Sequence, residues 1–185
     1  CLVHLHFRRG AHSFSMSEVP LVLRHLPVWQ NGIVTGFIDL ALERAFVYRE
    51  HAPSEVVEIA SEEKAREVDA RYHMLETLAD YDDALMEELL SEIDPPRDRV
   101  FSDLAHEMRT GAICPVLIGS AEHGHGVGRL LKAIRHEAPD IAETCHRLGL
   151  EQDGAPVVQV MKTLHTAHGG KLSAVRVLSG ALADG

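Results

Sequence analysis

The octapeptide Gly119–Gly126, GSAEHGHG, brings together residue types able to do chemistry: a hydroxyl at Ser120, a carboxylate at Glu122, imidazoles at His123 and His125, and three glycines. Ile113, Cys114, Pro115, Val116, Leu117 and Ile118 precede it as an apolar run with the length and β-branched content of a buried parallel strand. Val127, Leu130, Leu131 and Ile134 follow at steps of three, one and three, which places them on one face of a helix ending near Pro139. Strand, small-residue turn and helix form the second half of a βαβ unit, and open α/β sheets bind ligands at the carboxyl ends of their strands. The loop is therefore the place to look for binding. Gly124-His125-Gly126-Val127-Gly128 does not extend this to a phosphate cradle: it lacks the G-x-x-x-x-G-K-[ST] pattern and has no lysine where one would reach a phosphate. It reads as a flexible turn that starts a helix.

Other candidate chemistry is thinner. Thirteen histidines invite a metal reading, but the closest pairs, His4/His6, His123/His125 and His165/His168, are two-ligand pieces. None joins a cysteine or carboxylate at the spacing of a zinc site, so the histidines are read as solvated surface groups and a histidine-based metal enzyme as a weak third reading. Cys1, Cys114 and Cys145 are odd in number and far apart, which speaks against a disulfide framework and suits a reducing cytoplasm. A net charge of −10 argues against a protein that grips a bare phosphate backbone, while leaving room for docking on a ribonucleoprotein through a local patch. There is no apolar run of membrane-spanning length and no secretory-signal pattern, and no membrane partner is expected. The 185 residues suffice for one good core or parts of two.

Elements that would position the loop follow from periodicity. CLVHLHF at the start alternates weakly like an edge strand. Val19–Val28 reads as a strand ending at Pro27, and Asn31-Gly32 as a tight turn into a strand holding Ile33, Val34, Phe37 and Ile38. Ala45–Tyr48 and Val56–Ile59 complete a small antiparallel sheet over residues 21–59. Ser61 reads as an N-cap with Glu62 and Glu63 in the first turn. Ala65, Val68, Tyr72, Leu75 and Leu78 form one buried stripe, and Leu85, Met86, Leu89, Leu90 and Ile93 another, closed by Pro95-Pro96. A third helix runs from Asp98 to about Arg109 and stops at Gly111. The acidic residues of these helices read first as solvated faces and second as a docking face for a partner helix. Asp140–Ala155 is polar and linker-like, and Pro156–Leu164 and Lys171–Leu178 read as two strands joined by His165–Gly170. Two strands do not make a stable β domain alone, so this end is expected to be part of something larger.

In this order, several stretches resemble the elongation factor G family of translational GTPases. NGIVTGFIDLALERAFVY is similar to the segment that opens the insertion in that family's GTPase domain, and DYDDALMEELL to a helix of the same insertion. CPVLIGSA with HGVGRLLKAIRHEAP is similar to the end of the GTPase domain, including its guanine-recognition loop. PVVQVMKTLHTAHGGKLSAVRVLSGALADG is similar to the opening of the β-barrel domain that follows, and DLALERAFVY sits nearer an elongation factor G-like subgroup.

The resemblance implies an α/β fold: an α+β insertion subdomain over 21–111, the last strand and helix of a P-loop GTPase domain over 112–150, and the first strands of a β-barrel over 151–185, with 1–20 unassigned. It implies a cytoplasmic protein that binds GTP or GDP with magnesium, hydrolyses GTP on the ribosome during elongation, and meets the ribosomal stalk protein through the helices of 61–109. No direct sequence-specific nucleic acid contact is implied. Ser120 and Ala121 occupy the positions from which the family contacts the guanine base; a small residue lets backbone N–H groups approach the base oxygen, and a hydroxyl braces the loop. The family continues with an aromatic residue and a lysine where this chain has Glu122 and His123. The P-loop, the magnesium ligand and the water-orienting residue that phosphoryl transfer needs are not found in this sequence, nor is the family's Asn-Lys-x-Asp motif in Leu2–Ser17. The isolated chain is accordingly expected neither to hydrolyse GTP nor to bind it tightly. The alternative is a non-enzymatic module that docks on the ribosome or its stalk protein.

Overall fold

In a computed structural model, residues 18–50, 52–151, 154–167 and 169–183 are described. The expected strand over CLVHLHF, the pair His4/His6, and His168 lie outside them. The chain divides into two compact units, one up to Ala138 and one from Pro139.

The first unit opens with β1 (Leu21–Leu23) and β2 (His25–Gln30). The single strand expected over Val19–Val28 is thus two. Arg24 is the switch: its N–H donates to Val116 O at 3.0 Å and its C=O accepts from Leu40 N–H at 2.9 Å, so the chain leaves one sheet and enters another. Pro27 does not end β2 but lies within it, opposite Phe37; β2 is an edge strand, where a missing N–H is tolerated. Asn31 and Gly32, with φ of 50° and 80°, turn the chain as expected into β3 (Ile33–Asp39). β4 (Arg44–Arg49) and β5 (Ala52–Val57) complete the antiparallel order β2-β3-β4-β5, β5 lying a few residues earlier than the periodicity suggested.

Helix α1 (Ser61–Ala79) has Ala60, not Ser61, as its N-cap, with no side-chain cap; Glu62 and Glu63 do lie in its first turn. Its buried face is also rotated from the apolar stripe. Leu75 and Leu78 are buried as expected, but with Glu67, Arg71, Met74 and Ala79, while Val68 and Tyr72 are about half exposed. Pairing makes this possible: Arg71 donates to Leu40 O at 2.7 Å and faces Glu43 at 3.3 Å, and Glu67 accepts from Lys64 at 2.8 Å. A short second helix, α2 (Asp83–Leu90), is capped by Asp82, which accepts from the Ala84 and Leu85 N–H groups. Of its expected stripe Leu85 is fully buried, whereas Leu90 and Ile93 are exposed. Next, α3 (Arg97–Thr110) starts after Pro96 and ends at Gly111 in the left-handed conformation, φ 83°. The core joins sheet and helices through Val22, Ile38, Leu40, Leu75, Leu78, Leu85, Val100, Leu104 and Ile113.

The chain then returns. β6 (Cys114–Val116) pairs parallel with β1, Leu21 opposite Cys114, but it takes only the middle of the run Ile113–Ile118 and is half-buried rather than buried, since β1 is its one partner among the described residues; α4 (Val127–Glu137) follows the loop. On α4, Val127, Leu131 and Ile134 are exposed.

In the second unit the stretch read as a linker contains a helix, α5 (Ile141–Arg147). Its signal was a capping box: Asp140 accepts from Glu143 N–H at 2.8 Å and Glu143 accepts from Asp140 N–H at 3.1 Å. β7 (Val157–Thr166) and β8 (Gly170–Ser179) form the expected hairpin, and the buried Cys145 thiol donates to Leu178 O at 2.9 Å. Among the described residues no helix is long and apolar enough to cross a membrane.

Candidate functional site

The loop Gly119–Gly126 leaves the carboxyl end of β6 and closes on itself. Ser120 N–H donates to His125 O at 2.8 Å, and Gly124 N–H to Ala121 O at 3.3 Å. Its two ends touch: a Cβ on Gly119 would stand 2.5 Å from His125 O, and one on Gly126 would stand 2.6 Å from Ile118 O. Glycine is required at both places, and Gly126 also has φ +75°.

Ser120 and Ala121 are adjacent at the start of this turn, Ser120 half-buried and Ala121 exposed. The Ser120 N–H is used inside the loop. The Ala121 N–H has no acceptor among the described residues and lies exposed, so it is free to donate to an incoming carbonyl oxygen. Glu122 and His123 are both exposed beyond it. His123 and His125 have ring centres 5.5 Å apart, and no group of three or more His, Cys, Asp or Glu among the described residues is arranged to hold a metal ion.

Reasoning from sequence missed the residues that hold this loop. His25 Nδ1 accepts from Ile118 N–H at 3.2 Å, and Tyr48 donates its hydroxyl to Ile118 O at 3.2 Å. The Tyr48 ring stacks on His125, with centres 4.6 Å apart and planes 8° from parallel. Arg129, in the first turn of α4, donates to Asp39 Oδ2 at 2.5 Å and lies over the Phe46 ring. His25 stacks on Phe37, and its Nε2 faces Asp39 Oδ2 at 3.6 Å, both side chains being fully buried. With Nδ1 accepting, the ring carries its proton on Nε2, the side facing the carboxylate. The only sequence signal was polar: a histidine and an aspartate in otherwise apolar strands.

Burial holds His25 below its ordinary value of 6.5 against the pull of Asp39, and Arg24 and Arg129 add to the depression. Burial acts to raise Asp39, but the His25 ring and the two guanidiniums outweigh it and bring the carboxyl from 3.8 to about 2. Burial raises Tyr48 to about 12. Above pH 6.5 His25 is neutral both folded and unfolded; below it, the unfolded chain takes up a proton that the folded chain refuses, so stability falls as pH drops. Asp39 contributes stability that is complete above 3.8 and fades toward about 2. The urea midpoint of the chain should therefore fall as pH drops below 6.5, and His25→Asn should flatten that slope. An unchanged slope in the variant would assign it to other groups.

No family model matches the chain. It is 38% identical over 172 residues to an elongation factor G-like protein of Synechocystis sp., covering 92% of this chain and 26% of that protein. Elongation factor G 1 of Borreliella burgdorferi is 30% identical over 188 residues, with 92% of this chain and 27% of that protein covered. A crystal structure of a Thermus thermophilus protein superposes with a TM-score of 0.69 at 26% identity, covering 87% of this chain and 23% of that one. The chain thus spans about a quarter of the length of the curated relatives it matches.

Proposed function

Because the chain is elongation factor G family sequence over the span it shares with these relatives, we propose that the full-length protein is a translation elongation factor that binds and hydrolyses GTP on the ribosome. The observation that carries this reading is the 38% identity across 92% of the chain to an elongation factor G-like protein. The strand–turn–helix supports it locally: a parallel strand delivers Gly119-Ser120-Ala121 with a free Ala121 N–H at its carboxyl end, which fits a donor to the guanine 6-oxo group. Ser120 and Ala121 are the base-contacting residues in this reading; GTP or GDP and its magnesium ion are held for the rest by parts of the protein beyond this chain. The setting is cytoplasmic.

The helices of 61–109 are the proposed contact for the ribosomal stalk protein. Val68 and Tyr72 support this, since they stand one turn apart on α1 and are exposed although apolar. The same feature is what a non-enzymatic docking module would need, so nucleotide binding decides between the two. Fluorescent GDP with magnesium, titrated into this chain and into the full-length protein, should bind the second and not the first. Binding to neither would overturn the GTPase reading and favour the docking module; tight binding to the chain alone would mean that another set of residues replaces the missing motifs.

A further inference from the structure

Ile118 is the residue before the Gly119 turn, and β6 has already ended at Val116. Its N–H and C=O therefore find no partner in the parallel sheet and must be satisfied elsewhere. Both go to side chains of the antiparallel sheet, the N–H to His25 on β2 and the C=O to Tyr48 on β4. The same sheet grips the far side of the loop through the Tyr48–His125 stack and the start of α4 through Asp39 and Arg129. Entry, flank and exit of the loop are thus tied to one body. The loop itself is tightly closed, with no room for a side chain at Gly119 or Gly126, so it keeps its own shape and takes its direction from these ties.

We propose that His25 and Tyr48 are positioning residues that aim the Ser120-Ala121 turn at the 6-oxo edge of a purine base, so that guanine affinity is tuned from the antiparallel sheet. This rests on the nucleotide reading above. A hydrogen bond from Ala121 N–H loses strength within a few tenths of an ångström and a few tens of degrees, so a turn freed from Ile118 would keep its shape and lose its aim.

The test uses the full-length protein, with GDP and the diphosphate of 2-aminopurine riboside, which lacks the 6-oxo group, as competing probes. The wild type should prefer GDP. Tyr48→Phe, which keeps the ring stack and removes only the hydroxyl, and His25→Leu should each weaken GDP by roughly three- to tenfold, the equivalent of one hydrogen bond, and leave the analogue nearly unchanged. The preference then narrows. His25→Asn, whose Oδ1 can stand where Nδ1 accepted, should restore it. Equal weakening of both probes would mean a merely structural role and overturn the inference, as would a preference for GDP that Tyr48→Phe and His25→Leu leave unchanged. A wild type that binds neither probe overturns the nucleotide reading as well.

Discussion

Glu137→Leu should destabilise the first unit by about 3–5 kcal/mol, the range for stripping a buried ion of its partner. Arg24 is only 1% exposed, and its NH1 pairs with Glu137 Oε2. Its Nε has no hydrogen-bond partner, and its guanidinium otherwise lies over the Phe101 ring at 4.9 Å. Neither feature can replace a carboxylate. The pair joins α4 to the point where the chain switches sheets, and Arg109 reinforces the junction by donating to Glu137 O at 2.9 Å. Arg24→Met should be comparably damaging, because it leaves Glu137 nearly buried and alone. The double variant should recover much of the loss, since two apolar groups of similar volume need no counter-charge. Urea unfolding of the four proteins checks this; losses that simply add would mean that the two residues do not act as a pair.

Gly126→Ala should cost on the order of 3 kcal/mol, and a neighbouring substitution of the same chemistry should cost nothing. At φ +75° an L-residue pays about 1–2 kcal/mol for its backbone conformation. The new Cβ would also stand 2.6 Å from Ile118 O and 3.0 Å from Gly119 Cα, both backbone atoms that cannot swing aside. Gly124, at φ +69° with nothing within 4 Å, isolates the conformational part and should lose about 1–2 kcal/mol on substitution by alanine. Gly128 is helical with open space around it, and Gly128→Ala should be neutral or stabilising by up to about 1 kcal/mol. Urea midpoints of the three variants should fall in that order; an innocuous Gly126→Ala would show that the loop relaxes freely.

Local signals in the sequence were strong where local chemistry decides. Asn31-Gly32 specified a turn with two positive φ values, Gly111 a left-handed stop, and the apolar run before Gly119 a strand feeding the loop. Where long-range pairing decides, the sequence misled. Arg71 is buried because Leu40 O and Glu43, about thirty residues away in sequence, receive its guanidinium, and this goes with an α1 face rotated away from its apolar stripe. The helix after Asp140 went unseen because its composition is polar, although its capping box was in plain sequence. The braces of the candidate site were the least legible part. His25 and Ile118 lie 93 residues apart, and no periodicity connects a histidine in one strand with a backbone amide at the end of another.

The parallel pairing of β1 with β6 has a consequence for how the molecule assembles. Those strands meet only after the chain has made an excursion of about ninety residues through a whole sheet and three helices. Closing so long a loop while it is unstructured is entropically unfavourable, and the three-residue ladder offers little in return. A hairpin-rich, locally connected body between them can fold first and bring both ends side by side, reducing the closure to a docking step. The loop Gly119–Gly126 is then the last part to form and the first to be lost, and its order records whether everything between the two strands has folded.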